Sequence, residues 1–483
     1  MHNISILRLS LSQIHIFLLL NNQDSVALIP MHYFKKALML VKQHMHSLVA
    51  LGVRGMAVLL GFVVTFLIGR NLGPEANGQY ALITQTAMLL SVVAVGGIDM
   101  AAVRKLSEAV AHKIPVERRT LLKLVGYSLG FAAILGLALT LFSDPAMHLL
   151  FKGTPPLDAA LFIVMILFAR SMTRLMSSVL RSQKAYTWGQ IVEALIIPFI
   201  TVCALVIIPD LSVRNILWVT AVGGIATGLV AILSSLKYTA TGPDTLHVSM
   251  REILKIALPL WGVAIFLNLA DWYSLASASA VLGVHDAGLY RVALQVASAL
   301  GIITMGLFSV YSPQISAAHA ANDIRQVAAL ARSATRLSIV FSLPVALVIF
   351  VFAEHILGVV GPEFTTAANV LRIVIVGQAV YTATGPSGLV LAMTGHERIN
   401  FLLTMASTAL LLVAAPLAAY LFGLIGISVA VSVVIISRNI GSFIAVQHYA
   451  GINVMTGYIK PGSLASAATN DEKTPKTTGP VQS

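Results

Sequence analysis

Nine ionisable side chains interrupt stretches that are otherwise apolar: Arg54, Arg170, Arg174, Arg291, Arg372 and Arg438, with the acids Asp99, Glu193 and Asp271. A charge near the centre of a bilayer costs at least about 2.5 kcal/mol on insertion scales, so such groups are expected to face a bundle interior or a cavity. Six cations against three anions leave a positive surplus, which suits the binding of an anion. A guanidinium fork matches phosphate geometry and keeps its charge at any working pH. The chemistry on offer is recognition rather than bond making. The sequence carries no phosphate loop, no carboxylate pair at glycosidase-like spacing and no nucleophile motif. No histidine falls in the middle of an apolar stretch, so coupling to H+ or Na+ would need a carboxylate, and no cofactor or metal is expected. The single cysteine, Cys203, excludes an intramolecular disulfide.

Depth sorts these residues into two tiers. Arg54, Asp99, Arg170, Arg174 and Glu193 fall in the inner half of the first part of the chain. Asp271, Arg291 and Arg372 fall in the outer half of the second, and Arg438 lies near the middle of the last apolar stretch. Two readings stand side by side for several of them. Arg54, Arg174 and Arg291 lie near span ends and could instead snorkel to headgroups. Asp99 and Glu193 could be internal ion-pair partners of Arg170 and Arg174 rather than coupling-ion sites. Asp271 has no evident local partner and Arg372 is about two turns deep, so this pair carries the functional expectation, with Arg438 behind it. Trp272 and Tyr273 could stack on a sugar or belong to an outer aromatic belt.

The elements that must position these groups are membrane helices. The chain is 57% hydrophobic and 10% charged, with a mean hydropathy of +0.88, far from the roughly one-quarter charged composition of soluble domains. From Ser47 onward there are twelve apolar stretches of helix-spanning length. With the N-terminus inside, 22 basic residues fall in inner segments and three, Arg70, Lys152 and Arg214, in outer loops. That asymmetry predicts cytoplasmic N- and C-termini and absorbs much of the net +12 without a nucleic-acid partner. Outer loops are short, the longest running over about 353–366, so no catalytic domain fits there.

The spans form a repeat. The pattern L-G-x-x-x-x-G-x-Y occurs at Leu72–Tyr80 and again 210 residues on, at Leu282–Tyr290. Six spans per unit make the repeats parallel, related by an axis along the membrane normal. The pattern reads as an outer hairpin, with Gly73 and Gly283 as left-handed caps and Tyr80 and Tyr290 at the outer interface. None of the nine charges recurs at the 210-residue offset, so the repeat is scaffold and function is sought in the charges. Gly126 with Gly130, and Gly224 with Gly228, would let helices approach closely. Pro198, Pro344, Pro386 and Pro416 would bend helices, the tenth span at Gly385-Pro386 above all. The expected organisation is a cytoplasmic N-terminal segment over 1–46, with an interfacial helix or an upstream extension as open readings. Six-helix lobes come next at 47–236 and 256–449, joined by a linker over 237–255, and a disordered tail at 450–483. The fold class is all-α: a polytopic membrane protein of twelve helices in two parallel six-helix lobes around a central cavity.

The stretch FLIGRNLGPEANGQYALI, followed by GGIDMAAVRK, closely resembles the start of bacterial polysaccharide and O-antigen flippases of the multidrug/oligosaccharidyl-lipid/polysaccharide exporter superfamily. The stretches LGVVGPEFTTAANVLRIV and FGLIGISVAVSVVIISRNIGSFIAVQHYAGI agree, and the likeness covers roughly residues 45 to 455. It implies a cationic cavity for the diphosphate and glycan of an undecaprenyl-linked oligosaccharide, opening alternately to each side of a bacterial inner membrane. Cell-surface polysaccharide or lipopolysaccharide biosynthesis would be the setting, with membrane lipids, a glycan polymerase and chain-length machinery as partners. The alternatives are a multidrug or small-solute exporter of the same superfamily and, as an enzyme, an integral-membrane glycan polymerase or ligase, disfavoured by the short outer loops. The family supplies no fixed set of functional residues for these positions.

Overall fold

The computed structural model describes residues 31–111, 116–152, 156, 158–208, 212–240 and 250–460. The chain divides into two compact units, Met1–Leu48 and Val49–Ser483. The readings for residues 1–30 and for the tail beyond 460 lie outside the described residues. All nine charges of interest, from Arg54 to Arg438, belong to the second unit.

Helix dominates because backbone N–H and C=O groups facing hydrocarbon have no water to pair with. In chain order the elements are α1 (Met31–Val95), α2 (Ile98–Ala111), β1 (Val116–Glu117), α3 (Arg118–Leu141), α4 (Ser143–Phe151), α5 (Ala159–Ser182), α6 (Tyr186–Gln190), a π-turn (Ile191–Leu195), α7 (Ile196–Ile207), α8 (Val213–Leu236) and β2 (Thr239–Ala240). The second half continues with α9 (Met250–Leu282), α10 (Val284–Ala297), α11 (Ala299–Ala320), α12 (Ile324–Val351), α13 (Ala353–Val360), a 3-10 turn (Pro362–Ala367), α14 (Ala368–Ala383), α15 (Ser387–Met393) and α16 (Glu397–Ala445), which ends in a second π-turn (Val446–Ala450).

Among the described residues, ten helices are long and apolar enough to cross a membrane. Two of the ten are bent at a glycine with non-helical backbone, Gly73 (φ 82°, ψ −179°) and Gly423 (φ 61°, ψ −145°). Divided at those glycines alone, the ten give twelve stretches, six in each half. The chain is an all-helical multi-pass membrane protein.

The repeated pattern forms corners rather than hairpin loops. Gly73 and Gly283 share one conformation, φ 82° with ψ −179° and φ 111° with ψ 167°. This is not the left-handed helical cap expected from the sequence but a region open essentially to glycine alone. It reverses the chain within a single residue, and helix resumes at once: at Pro74, whose missing N–H costs nothing in a first turn, and at Val284.

The pattern's second glycines explain why the repeat exists. A Cβ on Gly78 would lie 2.1 Å from the Val284 carbonyl oxygen, and one on Gly288 would lie 1.8 Å from that of Pro74. The two repeats therefore cross backbone to backbone, each glycine admitting the other unit's helix start. The tyrosines depart from the expected interface. Tyr290 is fully buried, and the half-buried Tyr80 places its hydroxyl 3.5 Å from Thr220 Oγ1.

A second pair at the same offset was invisible as such in the sequence. Phe142 (φ −106°, ψ 25°) and Phe352 (φ −95°, ψ 19°) each break a span and start a short helix, α4 and α13. The expected outer loop at 353–366 is thus α13 plus the 3-10 turn, with Leu357, Val360 and Phe364 buried. A Cβ on Gly69 would meet the Val360 side chain at 2.8 Å, and Arg70 Nη1 donates to the Val359 carbonyl at 3.2 Å. In return Lys152, at the end of α4, donates to the Val281 carbonyl of the other half. Each half thus leans a short helix on the other half's glycine corner, and the hairpin end of the bundle is closed by pseudo-symmetric packing.

At the opposite, basic end, β1 and β2 pair in parallel, tying the connection after α2 to the start of the linker. The expected linker ends early, since α9 is helical from Met250. The expected disordered tail is ordered through residue 460. Asn453 N donates to Tyr458 O and Lys460 N to Gly451 O, each at 2.8 Å, and the hairpin buries Ile452 and Val454. Those two apolar side chains outweigh the polar composition around them. Gly224 and Gly228 do seat α8 on α5, against Ala169 and Met172, whereas a Cβ on Gly126 or Gly130 would meet nothing within 4 Å.

Candidate functional site

Four of the nine expected residues line one cavity. Arg54, Arg170, Arg174 and Glu193 surround a space of about 250 Å3 in the basic half of the first six segments, joined by Arg181 and Gln190. The backbone reason lies in α5 and α7. On α5, Arg170, Arg174, Ser177 and Arg181 fall at i, i+4, i+7 and i+11, which a 3.6-residue period stacks on one face. Opposite them, Pro198 lacks the N–H that residue 194 would receive and crowds its carbonyl. The chain accommodates this with the π-turn Ile191–Leu195, which carries Glu193 at its centre.

Pairing within the cavity is uneven. Arg174 Nε contacts Asp99 Oδ2 at 2.8 Å. Arg181 Nη2 lies 3.4 Å from Glu193 Oε2, and the same oxygen accepts from Ser177 Oγ at 2.7 Å. Arg170, by contrast, reaches among the described residues only a backbone oxygen, that of Glu193, at 3.5 Å. With Asp99 paired to Arg174 and Glu193 to Arg181, no carboxylate lies within ion-pairing distance of Arg170 or Arg54 among the described residues. Two buried polar atoms on the wall, Arg181 Nε and Gln190 Oε1, have no hydrogen-bond partner among the described residues. Such atoms are rare in native structures unless something polar meets them.

A second group forms around Asp271. It lies in the field of both Arg291 and Arg438, and among the described residues no cation comes within ion-pairing distance of it. Asp271 is exposed to solvent. Arg291 Nη2 donates to Gln295 Oε1 at 2.9 Å. Tyr80 lies in the field of both Arg170 and Arg291. Tyr381 stands in the same relation to Arg438.

Several expectations change. Asp99 pairs with Arg174 as one reading had it, but the ionic partner of Glu193 is Arg181, which the sequence had counted with the loop charges. Its spacing from Arg170 and Arg174 was the overlooked signal. Arg174 and Arg291 are half-buried and held by protein groups rather than snorkelling. Arg372 joins neither group. Its Nη2 lies 3.0 Å from Glu354 Oε1, its Nη1 donates to Asn369 Oδ1 at 2.9 Å and its Nε to the Phe350 carbonyl at 3.3 Å, so its fork is occupied near the hairpin end. Trp272 and Tyr273 form no belt: Trp272 Nε1 donates to Thr86 Oγ1 and Tyr273 OH to the Leu412 carbonyl, both at 2.9 Å. No group of three or more metal-ligating side chains occurs among the described residues.

The model of the family described as "Polysaccharide biosynthesis protein" matches residues 46–319, and a model described as "MatE" matches residues 259–419. The probable low-salt glycan biosynthesis flippase of Haloferax volcanii is 23% identical over 405 residues, covering 80% of this chain and 81% of that protein. Among solved structures, an inward-facing multidrug resistance MATE family transporter of the MOP superfamily aligns with a TM-score of 0.67 at 14% identity, over 87% of this chain and 99% of that one. The lipid II flippase MurJ in its inward closed conformation aligns with a TM-score of 0.67 at 13% identity, over 89% of this chain and 90% of that one. These likenesses establish the fold.

Proposed function

The chain belongs to the polysaccharide biosynthesis protein family, and from that premise we propose that it is a flippase for a lipid-linked oligosaccharide, acting by alternating access without covalent chemistry. The observation that carries the reading is the cavity with four arginines against one glutamate. Arginine forks suit the diphosphate that joins an undecaprenyl-type lipid to a glycan, and the two arginines without a carboxylate among the described residues, Arg170 and Arg54, are its anchors. The basic end is the cytoplasmic end by the distribution of Lys and Arg, so the closed hairpin end faces outward and the cavity lies on the side where the cargo is loaded. Release requires the Gly78–Gly288 crossing to part.

Asp271, poised between Arg291 and Arg438, is the carboxylate through which H+ or Na+ would couple. A bound diphosphate competes with Asp271 for those arginines, so occupancy by the cargo and by the coupling ion are linked. The exporter of small cationic drugs is the weaker reading, because a cavity with surplus arginine repels such cargo. The product fits a bacterial inner-membrane pathway to surface glycan, ahead of a polymerase and chain-length machinery.

The test is deletion of the gene in a strain with no redundant flippase. Undecaprenyl-linked glycan should accumulate on the cytoplasmic leaflet while surface polysaccharide disappears. Normal surface glycan in that strain would overturn the proposal.

A further inference from the structure

A separate cleft opens on the surface of the bundle, where α3 and the first turns of α9 diverge. One recess, of about 550 Å3, runs along α3 between Lys123 and Ile134, floored by Gly126 and Gly130 and walled by Tyr127 and Phe131. A second, of about 400 Å3, shares Tyr127 and continues to Arg251, Leu254, Lys255 and Leu258 of α9. The lining divides by chemistry along its length. Three cations, Lys123, Arg251 and Lys255, stand near the helix starts at the basic end, and among the described residues no carboxylate lines either recess. Beyond them the wall is apolar and outward-facing: Tyr127, Phe131, Ile134, Leu254 and Leu258 are all exposed. Ile134 is eleven residues past Lys123, about 16 Å along the helix.

The glycines in this trough do not serve protein packing, since neither would clash with anything within 4 Å if it carried a Cβ. An apolar trough about 16 Å long with cations at one end and no charged group deeper in has the form of one lipid molecule bearing an anionic head. Beyond the three cations and the Tyr127 hydroxyl, the lining offers a glycan no polar side chain.

We propose that this cleft binds an anionic phospholipid, its phosphate held by Lys123, Arg251 and Lys255 and one acyl chain lying over Gly126 and Gly130 between Tyr127 and Ile134. The site is distinct from the arginine cavity, and its test needs no translocation.

The test uses the purified full chain, exchanged into detergent with equal amounts of phosphatidylglycerol and phosphatidylcholine, and native mass spectrometry to count bound lipid. Phosphatidylglycerol should be retained in preference. The triple variant Lys123→Gln, Arg251→Gln and Lys255→Gln should lower its retention about tenfold. Gly130→Leu should do the same by filling the trough, and because it fills open space and improves helix propensity the protein still folds. Equal retention of the two lipids, or preference unchanged in both variants, overturns the proposal. So does displacement of phosphatidylglycerol from the cleft by a polyprenyl diphosphate, which would assign the cleft to the cargo. A dimer broken by Gly130→Leu without any lipid preference would assign it to a second copy of the chain.

Discussion

Replacing Arg170 tests the anion-binding role most cleanly, because its pairing differs from that of its neighbours. Removing Arg174 would strand Asp99, which is only 6% exposed and has Arg174 Nε at 2.8 Å. A buried carboxylate left alone costs about 3–5 kcal/mol, so a loss of transport there would be confounded with a loss of fold. Removing Arg181 would similarly strip Glu193 of its cation at 3.4 Å. Among the described residues Arg170 holds only the Glu193 carbonyl at 3.5 Å, so Arg170→Gln orphans no acid and relieves a desolvated charge. Membrane abundance should match the parent. If the guanidinium supplies one charge-assisted hydrogen bond to a cargo phosphate, its loss removes about 1.5–3 kcal/mol, roughly a 10- to 150-fold weaker affinity. Arg170→Lys keeps the charge without the fork and should fall between the two. The assay is protein reconstituted in liposomes with a fluorescent polyprenyl diphosphate glycan, reading the apparent affinity and the rate at which label becomes accessible to a membrane-impermeant quencher. Arg372→Gln is the control: its pair with a well-exposed Glu354 is worth about 0–1 kcal/mol, and its loss should leave transport intact. Parent-like binding by Arg170→Gln, together with abolished binding by Arg372→Gln, would refute the assignment of the cavity.

The glycine crossing and the Asp271 group each set a further expected outcome. Gly288→Ala puts a methyl 1.8 Å from the Pro74 carbonyl oxygen, an overpacking worth about 1–3 kcal/mol against the closed hairpin end. A cysteine placed in the cavity should then react faster with an impermeant reagent added from the outer side, and unchanged reactivity would show that the crossing is no gate. Asp271→Asn leaves Arg291 and Arg438 without the carboxylate between them. Transport driven by an imposed pH or sodium gradient should then lose its dependence on that gradient, with binding of the diphosphate retained or tightened; gradient-dependent transport at the parent rate would remove Asp271 from coupling.

The sequence alone determined the solvent in which this chain folds, and from that most of its architecture. A bilayer core admits helices because backbone groups have no water to turn to, so apolar length reads directly as membrane-crossing helix. The 210-residue offset was equally legible, because glycine in a region closed to other residues leaves a signature in composition. The arginines of α5 announced a polar face, and adding Arg181 required only the helical period. What the sequence could not decide is which charges share space and which are already satisfied. Arg372, about two turns deep, looked unpaired until α13, hidden in an apparent loop, delivered Glu354 to it. Arg170 and Arg174 shared the same two candidate acids until Asp99 proved to pair with Arg174. The close approach of Gly78 to Gly288, and the fields of Arg291 and Arg438 at Asp271, bring together residues as many as 210 positions apart. Electrostatic and steric terms depend on distance in space, and only the packing of the two halves fixes that distance.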